Sequence, residues 1–284
     1  MANLSEFSLK KTLNCKGRLL ELDQPVVMGI LNVTPDSFYD GGQHHTTDHA
    51  VQHAERMLGE GATMIDVGGY STRPGAADVS ETDELQRVIP VIERIAAEFP
   101  QAFISVDTFR ARVAEEAVQA GAHMINDISG GDDDPNMFAT VAKLNVPYIL
   151  MHKQGSIATM QQQPHYEDVV RDIVTIFQRK TQALQQLGVA DIILDPGFGF
   201  GKTIDHNFEI LRRLHEFGVF QLPVLAGLSR KSSIYKTLGT TAEHALNGTT
   251  VCHTIALLNG ASILRAHDVR EAVECIQLTQ RIYV

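Results

Sequence analysis

Side chains that could bind or react with a ligand recur at one kind of place in this sequence, the end of a short apolar run. They are, in chain order, Asn32, Thr72–Arg73, Asp107, Asn126, Met151–His152, Asp195, Lys231 and Arg265–His267. A carboxylate or amide at the end of a buried strand is costly unless a partner satisfies it. One such group is well explained as a helix cap. Three of them, Asp107, Asn126 and Asp195, indicate instead a ligand that offers several N–H donors.

Three further segments supply groups suited to an anion. GGYSTRPGA (68–76) brings hydroxyls and a guanidinium, which can hold a phosphate or carboxylate with two hydrogen bonds. LSRKSS (228–233) sets two cations just before a predicted helix start, where backbone N–H groups attract anions. RAHD (265–268) has its Arg and His two residues apart, and so on one side of an extended strand. Each segment alone would pass as an ordinary loop, and together they predict an anion site.

Two loops are candidates for the walls of a pocket. NVTPDSFYDGG (32–42) is longer than a strand–helix connection usually needs, and we interpret it as a mobile active-site loop. DPGFGFGKT (195–203) is rich in glycine but lacks the spacing of a phosphate-binding P-loop. Its glycines would let Phe198 or Phe200 line the pocket. The histidines repeat no metal-ligand spacing, and we therefore expect no zinc site.

A repeating fold must position these segments. Eight apolar runs alternate with longer amphipathic stretches, at 26–33, 64–69, 103–108, 124–130, 147–152, 192–197, 224–230 and 263–268. Runs that are apolar on both faces predict buried parallel strands, and stretches such as 48–62 and 81–99 have helical spacing. Polar groups follow nearly every strand, which favours a closed (β/α)8 TIM barrel over a doubly wound open sheet, whose ligand groups gather at one point. Residues 1–25 fit no unit and predict a hairpin that plugs the bottom of the barrel.

Composition limits the partners of the chain. Its formal net charge is −10 and it has no run of Lys and Arg, which argues against nucleic acid or an anionic membrane as a partner. Its three cysteines, Cys15, Cys252 and Cys275, form no CxxC pair and predict free thiols in a reducing compartment. No apolar run approaches membrane-spanning length, and the amino-terminal residues have no apolar leader. We therefore expect a cytoplasmic enzyme that acts on small molecules.

The motifs resemble those of the dihydropteroate synthase family. NVTPDSF, GGYSTRPGA, SVDT, INDISGG, LMHKQG, DPGFGFGKT, LSRKS and LRAHDV occur in the order found in that family. The resemblance implies one pterin-binding barrel domain over 1–284, with the hairpin at 1–25 and the barrel at 26–284. It implies an enzyme of folate biosynthesis that joins 6-hydroxymethyl-7,8-dihydropterin pyrophosphate to p-aminobenzoate, giving 7,8-dihydropteroate and pyrophosphate. It also implies a homodimer and a target of sulfonamide inhibitors.

The resemblance further implies roles for individual residues. The pterin would meet Asp107, Asn126, Met151, Asp195, Lys231 and Arg265. The pyrophosphate would meet Asn32, Arg265 and His267, with Mg²⁺ near Asn32. The p-aminobenzoate would meet Phe38, Thr72, Arg73, Pro74, Phe200 and Ser232. The catalytic residues would be Asp107, Lys231, Arg265 and Asp40, in a dissociative substitution where pyrophosphate leaves before the aniline nitrogen attacks.

Two other functions stay open from the sequence. A pterin-binding methyltransferase barrel would share the Asp and Asn contacts, but it has no need of STRPG, SRKS and RAHD together. A non-catalytic pterin-binding paralogue would lack one or more anion-site residues, and none is missing. Two positions depart from the family pattern: Tyr70 stands where many members have Glu, and Lys153 where Met is frequent. Both departures bear on loop packing and inhibitor sensitivity.

Overall fold

The computed structural model describes residues 10–33, 43–70, 78–155 and 164–283. The strands within these ranges are β1 Thr12–Cys15, β2 Arg18–Glu21, β3 Val26–Asn32, β4 Met64–Gly68, β5 Phe103–Asp107, β6 Met124–Asp127, β7 Tyr148–Met151, β8 Ile192–Asp195, β9 Leu225–Ala226 and β10 Ile263–Ala266. The helices are α1 Gln43–Gly59, α2 Glu81–Glu98, α3 Ala111–Ala120, α4 Met137–Leu144, α5 Val169–Gln186, α6 Ile204–Arg212, α7 Ser232–Thr237, α8 Leu246–Leu258 and α9 Val269–Tyr283. Short 3-10 helices lie at Leu214–Phe220 and Ala242–His244.

Strands β3 to β10 form one parallel ring with the helices outside it. Their order is β8-β7-β6-β5-β4-β3-β10-β9. A parallel bridge between Leu194 of β8 and Val224, just before β9, joins the two ends of the sheet. The predicted barrel is therefore confirmed, and the open sheet is wrong. The seventh strand is much shorter than the predicted run at 224–230, because the chain turns soon after β9 and reaches a positive φ of 53° at Arg230.

The amino-terminal hairpin closes one end of the barrel. Strands β1 and β2 are antiparallel, and their turn passes through Lys16 and Gly17, both at positive φ. Leu13 and Leu20 of the hairpin are buried in one apolar cluster with residues at the amino-terminal ends of the strands, including Met64. The predicted plug is confirmed, because these apolar side chains fill the space inside the ring that the barrel strands leave open at this end.

A second and larger apolar cluster lies between the strands and the surrounding helices. Along β3, Val27 and Leu31 belong to this outer layer, whereas Met28 belongs to the interior cluster at the hairpin end. This alternation is the two-residue period of a strand. Helix α2 shows how the helices are placed: Ser80 accepts a hydrogen bond from the backbone N–H of Asp83 at its start, and its buried face packs on the strands. The strand interiors at the opposite end of the barrel are polar.

Candidate active site

A network of charged side chains crosses the barrel at the carboxyl-terminal ends of the strands. Arg265, on β10, donates from Nε to Asp66 Oδ2 at 2.7 Å and from Nη2 to Asp107 Oδ2 at 2.8 Å. Asn126, on β6, donates from Nδ2 to the same Asp66 oxygen at 2.9 Å. Four strands, β4, β5, β6 and β10, thus contribute to one network. Charge-assisted hydrogen bonds of this kind are stronger than neutral ones and fix the geometry of the groups that they join.

Asp66 is the deepest member of this network. Its side chain is fully buried, and its Oδ1 has no hydrogen-bond partner among the described residues. The sequence pattern does not single out Asp66, because Asp66 lies inside the apolar run of β4 and not at the end of that run. The signal was present, since a carboxylate in the middle of an apolar strand is costly unless a cation pairs with it. Asp66 supports Arg265 and Asn126 from below.

Asp107 lies nearer to the solvent, with 21% of its side chain exposed. Burial and the negative charge of Asp66 raise the pKa of Asp107 to about 7, against the opposing effect of Arg265. A carboxyl group that titrates near neutral pH, and that opens to the mouth of a barrel, is typical of a functional site. It can accept a hydrogen bond from a ligand N–H when it is ionised.

Asp195 stands on the opposite side of the mouth, at the end of β8 and paired in register with Met151 of β7. Its Oδ1 accepts a hydrogen bond from the backbone N–H of Gly197 at 2.7 Å. A Cβ atom at Gly227 would come within 3.8 Å of Oδ2, so the absence of a side chain there leaves room beside this oxygen. Burial raises the pKa of Asp195, although Gly197 and Lys231 act in the other direction.

Lys231 immediately precedes α7 and faces the same mouth. Burial and the neighbouring charge of Arg265 lower the pKa of Lys231 to about 8, while Asp195 and Asp107 act to raise it. Its Nζ lies 4.3 Å from the centroid of the Phe200 ring, a cation–π contact that orients both side chains. Asp107, Asp195, Lys231 and Arg265 therefore interact as one electrostatic group, and the structure brings together the polar residues predicted from four separate strands.

Arg230 and Lys231 are adjacent in the sequence but have different surroundings. The Arg230 guanidinium donates to both oxygens of Asp268, at 2.9 and 2.8 Å, and to the backbone carbonyls of Ala242 and Glu243. The Arg230 N–H groups are thus hydrogen-bonded within the protein, whereas the Lys231 ammonium faces the mouth beside Phe200. The pair of cations in LSRKSS is thus one structural anchor and one ligand-facing group. Arg230 ties the turn before α7 to the end of β10.

The remaining described residues of the predicted site lie around this group. Asn32 ends β3, is half-buried, and its side chain has no hydrogen bond to another described residue. His267 follows β10, and its Nδ1 lies 3.1 Å from Ser229 Oγ. His267 is exposed overall, but desolvation of its ring by the surrounding atoms and the Arg265 charge lower its pKa to about 4. The ring is therefore neutral at pH 7. Ser232 is the first residue of α7, which confirms the predicted helix start, and it is half-buried.

Several predicted residues lie outside the described ranges. They are Phe38, Asp40, Thr72, Arg73 and Pro74. The two departures from the family pattern lie apart from the charged network. The Tyr70 hydroxyl is 3.2 Å from Asp78 Oδ1, and Lys153 Nζ contacts both oxygens of Asp133, at 2.9 and 2.8 Å.

Metal and membrane features can be stated for the described ranges only. Among those residues, no three His, Cys, Asp or Glu side chains are grouped in a way that would hold a metal ion. No helix that the structure describes has both the length and the apolar character needed to cross a bilayer. The three cysteines are buried and free, as predicted.

Comparisons with known proteins agree with this fold. A model of the pterin binding enzyme family matches residues 28–267. A dihydropteroate synthase of Escherichia coli (strain K12) is 48% identical over 267 residues, which are 93% of this chain and 94% of that protein. The crystal structure of the Yersinia pestis dihydropteroate synthase with a sulfonamide drug has a TM-score of 0.90 and 47% identity, covering 95% of this chain and 98% of that one. The Xanthomonas albilineans dihydropteroate synthase, solved with 4-aminobenzoic acid, has a TM-score of 0.89 and 44% identity over 96% and 98% of the two chains.

The chain therefore belongs to the pterin binding enzyme family and, within it, to the dihydropteroate synthases. Its relatives of that name are transferases. The charged network at the barrel mouth lies within the residues that the family model matches.

Proposed function

We propose that the protein condenses 6-hydroxymethyl-7,8-dihydropterin pyrophosphate with p-aminobenzoate, releasing pyrophosphate and 7,8-dihydropteroate for folate biosynthesis. The observation that carries the proposal is the buried network of Arg265, Asp66, Asp107 and Asn126, which opens at the mouth beside Asp195 and Lys231. The names of the relatives support the reaction. The family resemblance implies the role of each residue, and the contacts of the described residues support these roles.

The pterin is recognised by hydrogen-bond acceptors at one of its edges and by a hydrogen-bond donor at another. Asp195 Oδ2 accepts from the amino and ring N–H edge of the pterin, because its Oδ1 is already occupied by Gly197. Asn126 gives its N–H group to Asp66, which leaves its carbonyl oxygen to accept from the ligand. Lys231 donates to the pterin carbonyl. Met151, whose Cγ lies 3.3 Å from a Cβ position built on Gly197, lines the floor of this pocket.

The diphosphate binds where three strand ends supply neutral and positive groups. Arg265 lies beside the pterin plane and can face the diphosphate, and the neutral His267 ring donates one N–H. Asn32 fits a magnesium ion in one respect, because its amide oxygen is free of other described partners and Mg²⁺ prefers oxygen ligands, with phosphate and water completing the shell. Mg²⁺ bound there would neutralise charge on the leaving diphosphate. The described residues offer no protein-only cage for it.

The p-aminobenzoate is placed against Phe200 and the start of α7. The Phe200 ring offers an apolar face, and Ser232 at the first turn of α7 offers a hydroxyl for the carboxylate. Thr72, Arg73 and Pro74 complete this pocket in the proposal, as the sequence motif predicts. Phe38 and Asp40 belong to the loop that meets the bound substrates. These five residues rest on the sequence alone.

The chain's own residues carry out a dissociative substitution. The bond between the pterin methylene and the diphosphate oxygen breaks, and its electron pair leaves with pyrophosphate. Ionised Asp107, beside the pterin ring N–H, stabilises the cation that forms. The uncharged aniline nitrogen then forms the new C–N bond and loses a proton to the solvent or to the departing pyrophosphate. Catalysis here is orientation and charge stabilisation, and no side chain acts as a nucleophile.

We also propose a homodimer, a cytoplasmic location and a single domain over residues 1–284. Exposed apolar side chains on neighbouring helices support the dimer: Val251 and Ile255 on α8 are 53% and 38% exposed, and Leu278 and Ile282 on α9 are 65% and 68% exposed. Free buried thiols and an acidic chain support the location. Analytical ultracentrifugation tests the dimer, since Leu278→Glu with Val251→Glu should halve the mass.

The function is tested by pyrophosphate release. Purified protein with Mg²⁺ and the pterin substrate should release pyrophosphate at a rate that depends on p-aminobenzoate. Benzoate, which lacks the attacking amine, is the matched control and should leave the rate at its background value. A release rate that is independent of p-aminobenzoate would overturn the proposal.

A further inference from the structure

The loops that follow β7 and β8 contact each other backbone to backbone. Gly197 and Gly201 both have positive φ, 71° and 65°. A Cβ atom at Gly197 would lie 1.9 Å from the carbonyl oxygen of His152, and one at Gly201 would lie 2.4 Å from that of Gln154. Only glycine permits this approach. The segment 197–201, which contains Phe200, thus packs directly on the backbone carbonyls of the segment 152–154.

A buried lysine fills the junction between these two loops. Lys202 is 4% exposed, and its Nζ donates to the carbonyl oxygens of Phe200 at 3.0 Å and His152 at 3.3 Å. The same Nζ lies 3.0 Å from His152 Nδ1. Three acceptors therefore surround an ammonium group that has three N–H donors, and they come from both loops.

The three acceptors around Lys202 are uncharged. Burial and the neighbouring Lys202 and Lys180 charges hold the pKa of His152 well below its usual value, so its ring is a neutral acceptor. Burial lowers the pKa of Lys202 to about 7, although Asp195 acts to raise it. Holding a lysine in such surroundings costs free energy. A structural cross-link alone would be made at lower cost by a neutral side chain, and the position of Lys202 next to the mouth indicates a further role.

Lys202 acts on the site through Phe200. The Phe200 carbonyl is one of its acceptors, and the Phe200 ring packs on Lys231 Nζ, 4.3 Å from the ring centroid. The loop around Phe200 contains Gly199 and Gly201, so it has little intrinsic stiffness. On the other side of Lys202 the chain is fixed, because Thr203 caps α6 in a reciprocal pair of hydrogen bonds with His206. Asn207 Oδ1 and the Tyr166 hydroxyl also hold this loop, at Gly199 and Gly201. Lys202 is the residue that ties the Phe200 carbonyl itself to the segment after β7.

We propose that Lys202 is a positioning residue that holds Phe200 in place to bind p-aminobenzoate. Its Nζ donates to the Phe200 and His152 carbonyls and so fixes the Phe200 loop against the His152 segment. A neutral amine keeps two N–H donors, enough for both carbonyls. These contacts set the Phe200 ring where it packs on Lys231 and offers its other face to the aromatic acid. The inference rests on the proposed function, in which Phe200 contacts p-aminobenzoate. Lys202 donates no hydrogen bond to Asp195 or Asn126, and it acts on Asp195 only through its charge, as one of the smaller effects on the Asp195 pKa. Its loss should therefore weaken p-aminobenzoate binding much more than pterin binding.

The first test is steady-state kinetics of Lys202→Met, which keeps the length and removes the donors. The KM for p-aminobenzoate should rise about tenfold, as for the loss of a well-formed contact, while the dissociation constant of a pterin measured by calorimetry changes by less than about twofold. Lys236→Met is the matched control, because Lys236 lines the same polar cleft beside Ser232 but is exposed. Its KM should stay within about twofold of wild type. Equal values for the two variants, or equal losses for both substrates, would overturn the inference.

A second variant keeps the test decisive if Lys202→Met does not fold. Lys202→Gln retains two N–H donors for the two carbonyls, and it should raise the KM for p-aminobenzoate by about threefold without changing kcat by more than about twofold. A loss of kcat with no change in KM would contradict a role through Phe200.

A double-mutant cycle with Phe200→Leu tests the route of the effect. If Lys202 acts through Phe200, replacing Lys202 in the Phe200→Leu background should change the KM by less than about twofold. Fully additive losses would mean that Lys202 acts on the substrate by itself. A wild-type enzyme whose pyrophosphate release does not depend on p-aminobenzoate would instead contradict the proposed function, so the two failures are told apart.

Discussion

The two ends of the barrel interior differ in almost every property. At the amino-terminal end the hairpin side chains Leu13 and Leu20 are buried among apolar residues such as Met64 and Met124. At the carboxyl-terminal end, the interior positions carry Asp66 with its partner Arg265. The first end is stabilised by apolar burial, and the second holds charges whose burial costs free energy. The amino-terminal end therefore stabilises the fold, whereas the carboxyl-terminal end lowers the stability of the fold and provides the groups that bind the ligand.

The largest expected effect is at the polar end. Lys231→Met removes the ammonium that faces the pterin carbonyl and should lower kcat/KM by about a thousandfold, or about 4 kcal/mol, as for the loss of a buried catalytic donor. Its thermal stability should not fall, because burial already disfavours the charged lysine. Kinetics and thermal denaturation of the same preparation check both parts. A Lys231→Met enzyme with wild-type turnover would contradict the assignment of the polar end to binding.

The next effect is at the apolar end and has the opposite signature. Leu13 is fully buried, so Leu13→Ala should lower the free energy of unfolding by about 2–5 kcal/mol with kcat within about twofold of wild type at a temperature where the variant is folded. Leu19→Ala, in the same hairpin but 62% exposed, is the matched control and should change stability by less than about 0.5 kcal/mol. Urea denaturation measures both. A large loss of kcat in folded Leu13→Ala would show that the two ends are not separate.

The pH dependence of kcat/KM sharpens the description of the polar end. Activity needs ionised Asp107 and protonated Lys231, whose pKa values are about 7 and about 8. The profile should therefore rise through about pH 7 and fall through about pH 8, with roughly tenfold lower activity one pH unit below the acid limb. Lys231→Arg keeps its proton and should move the alkaline limb upward in any activity that remains. A flat profile between pH 6 and 9 in the wild type would contradict these two protonation states.

The smallest effect concerns Asp66, the residue beneath the mouth. Its charge helps to raise the pKa of Asp107, so Asp66→Asn should lower that pKa and move the acid limb of the profile below pH 7. The variant retains the Arg265 contact with Asp107. The pH profile of Asp66→Asn beside that of wild type provides the measurement. An acid limb that stays in place or moves upward would mean that Asp66 does not tune Asp107.

The sequence predicts the barrel well, because strand periodicity and the polar residues at strand ends are local signals. The runs that become β5 and β8 end at Asp107 and Asp195, and the run that becomes β4 ends at the Gly68-Gly69 pair. The structure places all three strand ends at the mouth. The predicted strand at 224–230 was too long, since no local pattern reveals that Arg230 turns away to bind Asp268. That ion pair joins residues far apart in the sequence, and only the closed ring brings them together.

The candidate site is also only partly predictable from local patterns. Asp107, Asn126, Asp195 and Lys231 were predicted from their places at strand ends, and the structure brings them together. Asp66 was missed because it sits within an apolar run, where only pairing across the barrel makes it tolerable. Lys202 was missed because a lysine after a glycine-rich loop resembles a surface residue until its three acceptors are seen.

Pterin binding separates the two ends of the barrel, because the residues proposed to recognise the pterin all lie at the polar end. Calorimetric titration of 6-hydroxymethylpterin should give a dissociation constant for folded Leu13→Ala within about twofold of wild type. The value for Asp195→Asn should be weaker by at least about tenfold, since the amide puts a donor or a weaker acceptor where the pterin edge presents N–H groups. Unchanged binding by Asp195→Asn, or equal weakening in both variants, would contradict the division between the two ends.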